Sequence, residues 1–141
     1  MNQARQPIDV AVLGATGAVG QRFIQLLEGH PWFRVAEVIA SDRSAGQLYG
    51  KVARWVLPGN PPEDVVGREV LPLDADVQSR IVFSALPADI AKTVEWRLAE
   101  AGHVVCSNAS AYRMQPDVPI LLPEANADHA ALVTAQREKY G

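Results

Sequence analysis

At 141 residues, 48% of them apolar, the chain makes one domain and has enough apolar side chains to bury a sizeable core. A formal net charge of -3 gives no electrostatic case for binding nucleic acid or an anionic membrane surface. The single cysteine, Cys106, excludes an intramolecular disulfide and fits a reducing compartment. The start, Met1 to Pro7, is polar and lacks the apolar stretch of a secretory signal, and no apolar run approaches the ~20 residues that span a bilayer. The expectation is a cytoplasmic protein with no membrane and no nucleic-acid partner.

Ile8 to Leu13 is an apolar run broken only by Asp9, and it ends at Gly14. Val19, Phe23, Leu26 and Leu27 follow at helical spacing until Gly29. Val35 to Ala40 predicts a second strand. The stretch from Ser44 to Val66 holds Gly46, Gly50, Pro58, Gly59, Pro61 and Pro62 and predicts a long insertion, with one short helix around Val52 to Val56. Ile81, Val82 and Phe83 predict a third strand. Pro87 suits the first turn of a helix that Ile90, Val94 and Leu98 continue on one face and Gly102 ends. Val104 and Val105 start a fourth strand, Ile120 to Leu122 suggest a fifth, and Asn126 is placed to cap a last helix running towards Glu138. Strands apolar on both faces, alternating with helices, indicate an α/β fold with a parallel sheet covered on both sides. Right-handed crossovers then make a doubly wound, Rossmann-like sheet the expected fold for residues 1–141.

Gly14-Ala15-Thr16-Gly17-Ala18-Val19-Gly20 joins the first strand to the first helix. Gly14 permits a tight exit from the strand. Gly17 lets the backbone approach a pyrophosphate with no side chain in the way, and Gly20 lets the helix pack close to the sheet. The free N–H groups and positive dipole end of the helix then face the phosphates. Ala15 stands where the common G-x-G-x-x-G motif has its first glycine, so the motif rests on its context between strand and helix. A turn with no ligand is the bland alternative. A strand that reads NAD usually places a carboxylate about 20 residues after the loop. Here Ser41 stands at the tip of the second strand, with Arg43 and Ser44 just beyond. Guanidinium matches a 2′-phosphate through paired, charge-assisted hydrogen bonds, and the serine hydroxyls add donors. Asp42 opposes this if it points inwards, but loop and arginine together favour NADP.

These motifs occur in the order of one family: Gly14–Gly20, then Ala40-Ser-Asp-Arg-Ser-Ala-Gly46, Phe83-Ser-Ala-Leu-Pro87, Ser107-Asn-Ala-Ser-Ala-Tyr-Arg-Met114 and Asp117-Val-Pro-Ile-Leu-Leu-Pro-Glu124. The chain resembles the cofactor-binding part of aspartate-semialdehyde dehydrogenase, most of all its archaeal and fungal branch. N-acetyl-γ-glutamyl-phosphate reductase is the nearest confusion. The resemblance implies reduction of β-aspartyl phosphate by NADPH to aspartate semialdehyde and phosphate, through a cysteine thioester, within the biosynthesis of lysine, threonine and methionine. It assigns the pyrophosphate to Gly14, Thr16, Gly17, Ala18 and Val19, with Gly20 at the helix start. The 2′-phosphate goes to Ser41, Arg43 and Ser44. Ser84, Ala85 and Leu86 lie along the nicotinamide ribose, Asn108 and Ser110 flank the nicotinamide end, and Arg113 resembles the arginine that holds the phosphate substrate. From the residues alone, Asn108 directly follows a strand at the edge where open α/β sheets bind ligands, and an arginine a few residues on can grip an anion there.

The family nucleophile sits in an Asn-Cys-Ser/Thr motif, and the chain contains no Asn-Cys pair. Cys106 reads as a buried strand thiol. His30, His103 and His129 have no partner arrangement of a general base, and no group of residues calls for a metal. The expectation is therefore a cofactor domain separate from the catalytic and dimerisation domain, inactive by itself, whose parent enzyme is a homo-oligomer. Three other readings are weaker. A short-chain reductase needs a Tyr-x-x-x-Lys pair that is missing. A non-catalytic NADP sensor has no need of the Ser107–Glu124 block, and a scaffold has no need of the glycine loop.

Overall fold

The computed structural model describes residues 6–140. Residues 1–5 of the polar start, and Gly141, lie outside the described residues. Five strands, β1 (Ile8–Leu13), β2 (Phe33–Ile39), β3 (Val70–Leu71), β4 (Ile81–Ser84) and β5 (Val104–Ser107), form one sheet in the order β3-β2-β1-β4-β5. Every strand pair in it is parallel. The helices are α1 (Ala18–Leu27), α2 (Tyr49–Val52), α3 (Glu63–Val66), α4 (Ala88–Glu100), α5 (Pro123–Asn126) and α6 (Leu132–Tyr140), with a 3-10 turn at Ala127–Ala131 between the last two. The chain builds outwards from β1 on one side through β2 and β3. It then crosses to β4 and β5 on the other, as in a doubly wound sheet.

β1 explains why the core splits into two layers. Successive residues of a strand face opposite ways, and Val10 to Leu13 are all fully buried. Val10 and Val12 pack with Ile24 and Leu27 of α1 and with Tyr49 and Val65 from the connection after β2. Ala11 and Leu13 pack with Val82, Leu86 and the α4 residues Ala91 and Leu98. Each fully buried valine or leucine contributes about 1.5–3 kcal/mol of transfer free energy, so the central strand anchors both faces. A bulge between Val10 and Ala11 skips Ala36 in the pairing with β2, and the Ala36 carbonyl accepts a hydrogen bond from Arg68 Nη1 at 2.9 Å.

Several expectations need correction. The fifth strand is not Ile120–Leu122, which is exposed and lies outside the sheet. It is the two-residue β3, held to β2 at Val38 and Ile39. The predicted helix around Val52 to Val56 is two four-residue helices at other positions, α2 and α3, and residues 53–56 lie outside any helix. Asn126 does not cap the last helix. Its side chain accepts from Leu122 N and donates to the Ile120 carbonyl, closing the turn in which α5 starts at Pro123. The helical stripes are also displaced. α1 buries Gly20, Gln21, Ile24 and Leu27 while Val19 and Leu26 are exposed, and α4 buries Ala91, Glu95 and Leu98 while Ile90 is exposed. In both helices a polar residue with its own hydrogen-bond partners takes a place in the inward face.

Candidate functional site

The register of the sheet brings the sequence-predicted residues to one edge. Leu13 pairs with Ile39 on one side and Ser84 on the other, and Ser84 pairs with Ser107. The next residues therefore leave the sheet together at its carboxyl ends: Gly14 after β1, Ala40 after β2, Ala85 after β4 and Asn108 after β5. Backbone bonds carry the ladder one step further. Ala15 N donates to the Ile39 carbonyl at 3.1 Å, Ala85 N to Leu13 at 3.0 Å and Asn108 N to Ser84 at 2.9 Å. In a sheet of this order, the space above β1 and β4 is where the crossovers diverge and ligands bind.

The glycine loop shows why three glycines stand where they do. Gly14 has φ +70°, and a Cβ there would lie 2.8 Å from the Ala85 carbonyl oxygen. At Gly20 a Cβ would meet the Gly14 oxygen at 2.1 Å, so α1 packs directly on the loop that precedes it. Gly17 differs: its backbone is extended, and its Cβ would come no closer than 3.4 Å to anything in the protein. Protein packing explains Gly14 and Gly20 but not Gly17. Gly17, Ala18 and Val19 are exposed at the tip, α1 has no side-chain cap, and Thr16 N–H has no acceptor among the described residues. A pyrophosphate fits that chemistry: unpaired N–H donors at a helix start, with no side chain in front of them.

Ser41, Asp42 and Arg43 are exposed in the turn after β2 and Ser44 is half-buried. The turn is held by Ser44 N and Ala45 N on the Ser41 carbonyl, and by Gln47 Nε2 on the Arg43 carbonyl at 3.2 Å. The ion pairs among the described residues are Arg34–Asp9 and Lys139–Asp117, so Asp42 and Arg43 do not neutralise each other.

On the other side of β1, Ser84 is fully buried and its hydroxyl has no partner. It serves the edge through its carbonyl, which fixes Asn108 N. Beyond β5, Ser107 Oγ donates to Glu95 Oε1 at 2.6 Å and accepts from Ala109 N at 3.0 Å. Glu95 is 4% exposed on α4. This relay from a buried carboxyl group sets the turn that carries Asn108, Ser110 and Arg113, all exposed. Arg113 Nη2 reaches the Asn108 carbonyl at 3.4 Å, so the two residues share one end of the site. Tyr112 steadies the same turn by donating its hydroxyl to the Lys92 carbonyl.

Cys106 is exposed on the edge strand β5, which corrects the expectation of a buried thiol. Among the described residues no strand pairs with its outer side. Partial burial by its neighbours still raises the thiol pKa above its ordinary value. His30 accepts Trp32 N and Phe33 N on Nδ1, both at 3.2 Å, and closes the turn before β2. His103 Nδ1 lies 2.9 Å from the Ser79 carbonyl.

The model of the family described as "Semialdehyde dehydrogenase, NAD binding domain" matches residues 9–133. The chain belongs to this family. An aspartate-semialdehyde dehydrogenase of Archaeoglobus fulgidus is 50% identical over 133 residues, which is 94% of this chain and 39% of that protein. A malonyl CoA reductase (NADP) of Metallosphaera sedula is 36% identical over 137 residues, 96% of this chain and 38% of that protein. The crystal structure of aspartate semialdehyde dehydrogenase with NADP from Candida albicans superposes with a TM-score of 0.88 at 39% identity, covering 95% of this chain and 38% of that one. The chain thus spans about two fifths of the length of the relatives it matches. As a semialdehyde dehydrogenase NAD-binding domain it carries the Rossmann-like sheet expected from its sequence. Sequence reasoning missed Gln21, Tyr49 and Glu95. The signal for Gln21 and Glu95 was present, since each is a polar residue inside an inward helical stripe.

Proposed function

We propose that this chain is the NADP-holding part of a phosphorylating aspartate-semialdehyde dehydrogenase, which interconverts β-aspartyl phosphate and aspartate semialdehyde in amino-acid biosynthesis. The observation that carries the reading is the shared carboxyl edge, with an anion-ready loop on β1, a free arginine beyond β2 and a second arginine beyond β5. Support for NADP comes from the cofactor named with the Candida structure and from the name of the Metallosphaera relative. When bound, NADP supplies the hydride acceptor or donor.

The chain's own residues bind and orient. Thr16, Ala18 and Val19 hold the pyrophosphate through N–H groups, Gly17 lets it approach with no side chain in the way, and Gly14 and Gly20 shape the loop. Ser41, Arg43 and Ser44 hold the 2′-phosphate. Ala85 and Leu86 border the ribose, with Ser84 supporting them from beneath. Asn108 and Ser110 flank the nicotinamide, and Arg113 holds the phosphate of the substrate. The thiol step needs a nucleophile that these residues do not supply: Cys106 lies in the strand ahead of Asn108, and the histidines near the sheet are tied into turns. That step, and the assembly into a homo-oligomer, belong to the remainder of the enzyme.

Calorimetric titration with NADP and NAD tests the reading. Binding of NADP, tighter than NAD, is the expected result. Equal affinities overturn the 2′-phosphate assignment, and no binding overturns the proposal.

A further inference from the structure

The glycine loop faces the crevice with donors because its acceptors are all engaged elsewhere. Four consecutive carbonyls are occupied. The Gly14 oxygen accepts from Gly17 N at 3.0 Å and the Gly17 oxygen from Gln21 N at 2.9 Å. The other two are taken by side chains. Tyr49 Oη donates to the Ala15 oxygen at 2.8 Å, and Gln21 Nε2 donates to the Thr16 oxygen at 3.0 Å. Tyr49 is fully buried and Gln21 is 1% exposed, so water does not substitute for either. Gln21 is itself fixed. Its Nε2 also donates to the Arg54 carbonyl at 2.8 Å, and its Oε1 accepts from Val56 N at 2.8 Å. The connection after β2, read from sequence as an irregular insertion, thus grips the loop from behind.

A trans peptide is planar, so its C=O and N–H point in opposite directions, and the chain has no cis peptide among the described residues. Holding the Ala15 carbonyl towards the buried Tyr49 therefore turns Thr16 N–H the other way. That group has no acceptor among the described residues. We propose that Tyr49 and Gln21 are positioning residues for anion recognition: they draw the Ala15 and Thr16 carbonyls out of the crevice so that the loop offers a diphosphate only N–H groups. Without the Tyr49 hydroxyl the Ala15 carbonyl has no donor, and the peptide is free to rotate towards solvent. A carbonyl oxygen then stands where a phosphate oxygen must approach, and like partial charges repel.

This inference rests on the proposed NADP site, and the experiment separates the two. NADP affinity is measured by calorimetry for the full chain, for Tyr49→Phe and for Gln21→Met. Leu98→Ala, on the opposite core layer, serves as a control for lost stability. The Thr16 amide resonance is followed by NMR as NADP is added. Both variants are expected to bind NADP at least tenfold more weakly, with a reduced shift of the Thr16 amide. The control melts earlier but binds like the parent chain. Should Tyr49→Phe fail to fold, Gln21→Met carries the test. Unchanged affinity and an unchanged Thr16 shift in the folded variants would overturn the inference alone. A parent chain that does not bind NADP would overturn the site and the inference together.

Discussion

Gly17→Ala separates a glycine kept for a ligand from one kept for the fold. At Gly17 φ is −81° and ψ 164°, a conformation alanine adopts freely, and the added Cβ meets only the Gly14 oxygen at 3.4 Å. Removing a glycine from the unfolded chain stabilises by about 0.4–1 kcal/mol. Alanine is a poorer N-cap than glycine, which offsets that gain by a similar amount. The melting temperature should therefore move by no more than roughly 4 °C. Binding should respond much more. A methyl group over the loop pushes a pyrophosphate away, and each charged hydrogen bond lost costs about 1.5–3 kcal/mol, at least tenfold in affinity. Thermal melts with NADP show the difference directly. At a concentration of 100 times the parent Kd, the parent chain gains about 2.7 kcal/mol. A variant weakened tenfold gains only about 1.4 kcal/mol at that concentration. Gly20→Ala is the contrasting case, because its Cβ would lie 2.1 Å from the Gly14 oxygen. It should lose stability with or without ligand. Equal NADP stabilisation of the parent chain and Gly17→Ala would refute the argument that the open face of Gly17 is where the cofactor lies.

Replacing Arg43 with alanine should cost about 1.4 kcal/mol or more for NADP, a tenfold loss, and little for NAD; parallel titrations check it. Alkylation of Cys106 by iodoacetamide should proceed in the native chain, because the residue is exposed, and should quicken in denaturant, where the partial burial that raises its pKa is lost. Its rate at neutral pH should lag that of a free thiol and recover as pH rises, because the raised pKa leaves less thiolate. Ser107→Ala leaves the buried Glu95 without its donor and should destabilise the chain by about 1–3 kcal/mol in a denaturant melt. Asp117 is held below the ordinary carboxylate range by hydrogen bonds from Lys139 and Tyr140. Its contribution is present above the unfolded pKa and fades as pH falls through the lowered one. Tyr140 packs on Trp96 with ring centroids 5.8 Å apart. Acidification should therefore change Trp96 fluorescence, and Asp117→Asn should abolish that change.

The sheet was legible because its central strands are short apolar runs set between helical stretches, β1 ending at Gly14, a pattern no amphipathic helix shares. The glycine loop was legible from its place between strand and helix. Less of the periphery could be read. β3 is two residues long and exists only because β2 offers it partners, so no periodicity announces it. Ile120–Leu122 has strand composition, yet nothing among the described residues covers it, and apolar sequence alone does not make a strand. Cys106 was misjudged for a related reason. A residue in an apolar strand is buried only if something lies beside that strand, and β5 is the edge of the sheet described here. Gln21 and Glu95 announced themselves only as polar residues within an inward stripe; what they and Tyr49 hold could not be read, because their partners are backbone groups and a side chain 5 to 35 residues away in sequence.

The strand order also acts as a ruler. The turn carrying Ser41 and Arg43 follows β2, and the turn carrying Asn108 and Arg113 follows β5, with β1 and β4 between them. Neighbouring strands are about 4.8 Å apart, so three steps separate the two turns by about 14 Å. No hydrogen bond or ion pair among the described residues joins the two turns, and a molecule that engages both must be long enough to cross the glycine loop on the way. Molecular length is thereby selected before any contact is made: a short anion can satisfy one end of the edge but cannot bridge both. Changing the residues after β2 to alter the preferred nucleotide should accordingly leave the far end of the edge undisturbed, which makes this half of the protein a separable target for redesign.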